Sequence, residues 1–120
     1  MEFSTVLRNA EFAAWAHGLT PSECPSAARQ ALEKVGLWSR RNSRARSLSG
    51  GMRQRLGIAC TIVHKPRVVL LDEPSVGLDP VQRIRLHELV EQIAVDSTII
   101  LSTHLIEDLS AMTSQILVLD

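Results

Sequence analysis

This 120-residue chain predicts an α/β fold: a helical module followed by a mostly parallel half-sheet. Three observations carry that expectation. Residues before about 47 follow helical spacing, broken by glycine and proline. Val68-Val69-Leu70-Leu71 and Thr98-Ile99-Ile100-Leu101 are apolar runs of strand length. Between them Asp79-Pro80 opens a helical pattern with an N-cap and a proline in the first turn.

Taken in order, residues 3–18 read as a helix with Leu7, Ala10, Ala14 and His17 on its inner stripe and Gly18 as its stop. Thr20 to Pro25 is a loop, since two prolines fall within five residues. Ser26 can cap a helix that runs through Leu32 and Val35 to Gly36. Arg40 to Ser47 is polar and irregular. A helix over 50–63 buries Met52, Leu56, Ala59, Cys60 and Val63, and Lys65-Pro66 ends it. The unbroken run Val68–Leu71 suits a strand covered on both faces. Helix 80–94 turns Leu86, Leu89, Val90 and Ile93 inward. A strand over 98–101, a helix over 105–112 and a strand over 115–119 complete the pattern. Three short strands leave open edges, so part of the sheet is expected from elsewhere.

Composition narrows the possibilities. At 22% charged residues and without low-complexity runs, the chain is not of the disordered class. Net charge is zero, yet residues 1–60 hold nine Lys+Arg against four Asp+Glu, and residues 61–120 hold four against nine. Apolar stretches fall far short of the ~20 residues that span a bilayer. Cys24 and Cys60 are isolated, which favours two reduced thiols over a disulfide or a metal site. A cytosolic location is the expectation. Arg40, Arg41, Arg44 and Arg46, with Arg53 and Arg55 after them, form a basic face suited to a nearby anionic ligand. Only 3% of residues are aromatic, so a stacking platform for nucleic acid is not expected.

Two short segments carry chemistry. Ser49-Gly50-Gly51 stands at a helix start, where glycines admit a phosphate to the backbone and the helix terminus favours negative charge. The competing reading is an ordinary Ser N-cap after a Gly-rich turn. Asp72 and Glu73 end an apolar strand, the side of an open α/β sheet where ligands bind. Alternation along a strand points them to opposite sides. Asp72 suits Mg²⁺, held through its water shell, and Glu73 suits polarisation of an attacking water. His104 follows the next strand at the same sheet end and could contact a γ-phosphate or orient that water. His17, His64 and His87 have no such context.

Leu48-Ser49-Gly50-Gly51-Met52-Arg53-Gln54-Arg55, Val68 to Pro74, Gly77-Leu78-Asp79-Pro80 and Ser102-Thr103-His104 together resemble the ATP-binding cassette (ABC) family. The resemblance implies a partial P-loop NTPase-like ABC ATPase domain. Its helical signature subdomain would lie in residues 1–47 and its C-terminal α/β core in residues 48–120. It implies ATP and Mg²⁺ as cofactors. Ser49, Gly50 and Gly51 would close on the γ-phosphate of ATP held by a second ABC ATPase subunit in a head-to-tail dimer. Asp72 would be the metal aspartate, Glu73 the catalytic base, His104 the switch histidine, and Asp79 the residue linking the two sites. A transmembrane permease would dock on the helical subdomain and hold the chain at the inner face of the membrane. Met52 with Arg53-Gln54-Arg55 resembles exporters of the drug or ABC-2 type.

The sequence departs from the family in three places. No G-x-x-x-x-G-K-S/T phosphate loop occurs in the 120 residues, nor does the glutamine loop. The chain stops at Asp120, before a short strand and Gly turn, and Cys60-Thr61 replaces more usual residues. Without the loop lysine and its amides, weak ATP binding and no turnover are expected of this chain alone. Two other readings stand beside the transporter subunit. A non-hydrolysing protein could lend its signature to an intact partner. A soluble ABC ATPase of repair or translation is the second, although Asp72 follows Ser49 by only 23 positions, which leaves no room for a coiled-coil insertion.

Overall fold

The computed structural model describes residues 4–103, in elements that divide between two compact units, Met1–Arg67 and Val68–Asp120. That division sharpens the charge asymmetry, because Lys65 and Arg67 fall on the basic side. The first unit holds eleven Lys+Arg against four Asp+Glu, the second two against nine.

In the first unit, α1 spans Val6–Ala16, α2 Cys24–Lys34 and α3 Gly50–Ile62, and the three helices pack on one another. Thr5 caps α1, its hydroxyl accepting from the Arg8 N–H at 3.2 Å. The next two amides, which no helix can satisfy internally, donate to the segment ahead of α3: Val6 N–H to the Ser43 carbonyl (2.9 Å) and Leu7 N–H to that of Arg41 (3.0 Å). Ala45 N–H returns a bond to the Ser4 carbonyl at 2.9 Å. Residues 41–45 are thus strapped to the start of α1. The region expected to be irregular contains two single 3-10 turns, Trp38–Arg40 and Ala45–Ser47.

The inner stripe of α1 is Val6, Asn9, Ala10 and Ala14: Ala10 and Ala14 are buried as expected, whereas Leu7 is half-buried and His17 exposed. Asn9 can be buried because its amide donates to the Thr5 carbonyl at 2.8 Å. Its own carbonyl meets the Cys60 thiol at 3.8 Å, and burial pushes that thiol above its ordinary pKa. Helix α2 begins at Cys24, with Glu23 in the cap position and making no side-chain cap bond, so Ser26 lies inside the helix. Pro25 fits the first turn, where its missing N–H removes no bond. Gly36 ends the helix at φ +74°, and a Cβ there would stand 3.3 Å from the Arg55 guanidinium. In α3, Leu56, Ile58, Ala59 and Ile62 are buried, while Met52 and Cys60 are half-buried.

Arginines of the basic cluster serve this unit as fasteners. Arg55 donates to the Val35 carbonyl (3.3 Å) and Arg53 to that of Arg46 (2.7 Å). Arg29 and Arg41 both lie over the Trp38 ring, at 4.8 and 4.5 Å from its centroid. Past α3, Lys65 turns left-handed at φ +54°. His64 stacks on His17 with centroids 3.9 Å apart. Burial, and secondarily His17, lowers the pKa of His64.

In the second unit, β1 (Val68–Asp72) and β2 (Thr98–Ser102) pair in parallel, with Val68 opposite Thr98 and Asp72 opposite Ser102. The crossover is α4, Pro80–Ala94, which buries Leu86, Leu89, Val90 and Ile93, the four residues its periodicity singles out. Contrary to expectation, β1 is covered on one face. Val69 and Leu71 are buried, whereas Val68 and Leu70 are 53% and 69% exposed. Among the described residues one crossover helix packs on one side of two paired strands, and Ile100, beside Leu70, is exposed with it. The predicted helix over 105–112 and strand over 115–119 lie outside the described residues.

Leu32 is fully buried, so Leu32→Ala is expected to lower unfolding free energy by about 2–5 kcal/mol in urea titrations. Leu70→Ala, on the exposed face, is expected to change it by no more than about 0.5 kcal/mol. The depressed pKa of His64 means the unfolded chain binds its proton more readily than the folded one. Stability is then full above the ordinary histidine value of 6.5 and declines as pH falls below it. Urea titrations at about pH 7 and about pH 5 should show a smaller acid loss for His64→Phe than for the parent chain.

Candidate functional site

The first unit presents Ser49, Gly50 and Gly51 at the start of α3. Ser49 is extended (φ −65°, ψ 167°), and its hydroxyl oxygen accepts the Met52 N–H at 3.3 Å. This is the ordinary N-cap bond, so the competing reading of that serine is structurally true. It leaves the hydroxyl proton to donate. Ser49 and Gly50 are both exposed, and nothing lies within 4 Å of where a Cβ on Gly50 would stand. An anion can therefore reach the helix terminus and the serine hydroxyl together. Gly51 is buried.

The second unit assembles a different end. β1 finishes at Asp72, whose exposed carboxylate accepts a hydrogen bond at Oδ1 from the Ser102 hydroxyl on the neighbouring strand. The chain then turns sharply. Glu73 adopts φ +49°, a left-handed conformation that costs a non-glycine residue about 1–2 kcal/mol. Its N–H donates to the Ser102 carbonyl at 2.8 Å, which holds the turn in place. The direction of the half-buried Glu73 is therefore set by this turn, not by strand alternation as the sequence suggested. Pro74 and Ser75 are buried behind it, and Gly77 (φ +79°) completes the loop. Asp79 caps α4, its carboxylate accepting the Gln82 N–H at 2.8 Å.

Thus Asp72 and Glu73 are brought together and joined by Ser102, while Ser49, Gly50 and Gly51 form their own cluster in the other unit. His104 lies outside the described residues. Ser102 is the residue whose contribution the sequence did not disclose. Its signal is the parallel register, which becomes visible only once the strands are paired.

The oxygen donors suit a hard cation. Among the described residues no three His, Cys, Asp or Glu side chains gather into a metal-binding group. Mg²⁺ commonly binds through one or two carboxylates and completes its shell with water and phosphate, so Asp72 with an adjacent hydroxyl fits that ion. The chemistry Mg²⁺ brings when bound is neutralisation of phosphate charge.

A glycine-flanked helix start in one unit and an acidic strand end in the other are each features of α/β proteins that handle nucleotides. The family model described as ABC transporter matches residues 2–76, more than half of the chain, and the chain belongs to that family. It is similar to the phospholipid-transporting ATPase ABCA3 of Homo sapiens, 35% identical over 96% of this chain and 7% of that protein. The linearmycin resistance ATP-binding protein LnrL of Bacillus subtilis is 35% identical over 87% of the chain. The aliphatic sulfonates import ATP-binding protein SsuB 2 of Xanthomonas axonopodis is 43% identical over 78%. The chain spans 34% and 33% of these two bacterial proteins. A solved ABC transporter in an inward-facing conformation superposes with a TM-score of 0.84 at 28% identity, over 92% of this chain and 47% of that one. An ATP-binding cassette in its ADP conformation shares the fold at a TM-score of 0.75 and 21% identity.

Because the Ser49 hydroxyl caps α3, Ser49→Ala is expected to lower stability by about 1 kcal/mol. Ser49→Asp, which keeps a capping oxygen, is expected to retain it, as thermal unfolding will show.

Proposed function

We propose that this chain provides the signature and the hydrolytic strand end of the ATPase of an ABC transporter of export type. The observation that carries the reading is the end of β1, where an exposed Asp72 stands beside the Ser102 hydroxyl and Glu73 leaves on a left-handed turn. Asp72 would hold Mg²⁺, which would neutralise phosphate charge. Glu73 accepts the proton of the water that attacks the γ-phosphate, and His104 orients that water. Ser49, Gly50 and Gly51 donate to the γ-phosphate of ATP bound in the opposing subunit of a head-to-tail dimer, and Asp79 communicates between the two sites. Residues 1–47 act as the helical subdomain and 48–120 as part of the catalytic core.

Among the described residues no helix is long and apolar enough to cross a membrane. We assign the membrane passage to a permease, which holds this chain at the inner face of the membrane. The export reading rests on Met52-Arg53-Gln54-Arg55. The sequence contains no phosphate loop, so the β- and γ-phosphate contacts come from outside these 120 residues.

Two measurements test the assignment. The 120-residue chain alone should show no ATP turnover above blank; turnover that Glu73→Gln abolishes would overturn the need for an external phosphate loop. With that loop supplied by an intact cassette, Glu73→Gln should lower kcat by about 10²–10⁴-fold while ATP still binds. Retention of full turnover by Glu73→Gln would remove Glu73 from the role of base.

A further inference from the structure

Ser102 stands at the centre of the strand end and touches both acidic residues. Its hydroxyl donates to Asp72 Oδ1, and its backbone carbonyl accepts the Glu73 N–H at 2.8 Å. The two bonds do different work. The carbonyl bond belongs to the backbone and holds Glu73 in its left-handed turn whatever side chain position 102 carries. The hydroxyl bond is specific to a Ser or Thr. It occupies one oxygen of an exposed carboxylate that would otherwise rotate freely, and it leaves the second oxygen and the remaining lone pairs able to accept.

We propose that Ser102 is a positioning residue for the metal aspartate. By donating to Oδ1 it sets the rotamer of Asp72 and presents Oδ2 to the water shell of a divalent cation. The inference rests on the assignment of Asp72 to Mg²⁺ made above. The physical reason is economy of ordering. With few protein ligands, the site cannot orient the carboxylate through the cation, so a hydrogen bond must orient it before the cation arrives. Register supplies the partner: in a parallel pair the residue opposite Asp72 is Ser102 and no other. A side-chain donor on the adjacent strand is therefore the shortest available support.

The test uses the 120-residue chain and Mn²⁺ as the probe, followed by paramagnetic broadening of the backbone amides of residues 72, 73 and 102. Ser102→Ala is expected to raise the Mn²⁺ concentration for half-broadening by about tenfold, the size typical of losing a support behind a metal ligand. Ser102→Thr, which keeps the hydroxyl, is expected to restore the parental value. In both variants hydrogen exchange at the Glu73 amide should stay as slow as in the parent, because its acceptor is backbone. Unchanged Mn²⁺ affinity in Ser102→Ala would overturn the proposal, as would failure of Ser102→Thr to restore it. Loss of Glu73 protection in Ser102→Ala would also overturn it, because the hydroxyl would then be holding the strand end, not orienting one carboxylate. Asp72→Asn separates the two levels. Weakened broadening in that variant upholds the metal assignment, whatever Ser102 does. Parental broadening in Asp72→Asn would sink the assignment itself, and the role of Ser102 with it.

Discussion

The parallel register of β1 and β2 is the constraint on which the second unit depends. Placing Asp72 opposite Ser102 gives an exposed carboxylate a donor and gives the Glu73 amide an acceptor. A slip of one residue would turn each side chain to the other face of the sheet. It would also set Asp72 against Leu101 or Thr103 in place of Ser102. The register is held by apolar packing at a distance, since the crossover helix α4 must seat Leu86, Leu89, Val90 and Ile93 while Val69 and Leu71 stay buried. The geometry of the strand end is thus tied to buried residues that lie away from it.

A comparable division of labour governs the first unit. The residues before the signature would be a polar connection with little to order them. They are ordered because α1 has amides that its own helix cannot use, and the carbonyls of Arg41 and Ser43 accept them. Arg53 and Arg55 then tie α3 back to Arg46 and Val35. The start of α3 is exposed at Ser49 and Gly50 while the helix behind it is buried at Leu56 and Ala59. An exposed helix start on a buried helix body is open to an approaching anion.

Much of the fold was legible in the sequence. Helix α4, its cap and its four buried residues were readable because Asp79-Pro80 and a regular apolar stripe act within one helix. The strand positions followed from short apolar runs. The errors lie where neighbours decide. The inner stripe of α1 kept Ala10 and Ala14 but took in Val6 and the self-satisfied Asn9 in place of Leu7 and His17, and the start of α2 moved to Cys24 because the first helical turn tolerates proline. The apolar run of β1 implied two covered faces, but an apolar side chain does not itself bring a partner, and Leu70 and Ile100 lie side by side on the open face.

The candidate site divides along the same line. Sequence patterns alone located the candidate residues: Ser49, Gly50 and Gly51 at a helix start, Asp72 and Glu73 at a strand end, Asp79 at a cap. Local rules suffice for these, because caps, glycine and strand ends act over a few residues. Packing between elements is what turned Glu73 left-handed, gave one donor each of Arg53 and Arg55 to a backbone carbonyl, and set the Ser102 hydroxyl on Asp72. Each of these is a hydrogen bond or a turn whose partner lies up to thirty residues away in sequence. Such partners are chosen by the packing of whole elements, which no local pattern encodes.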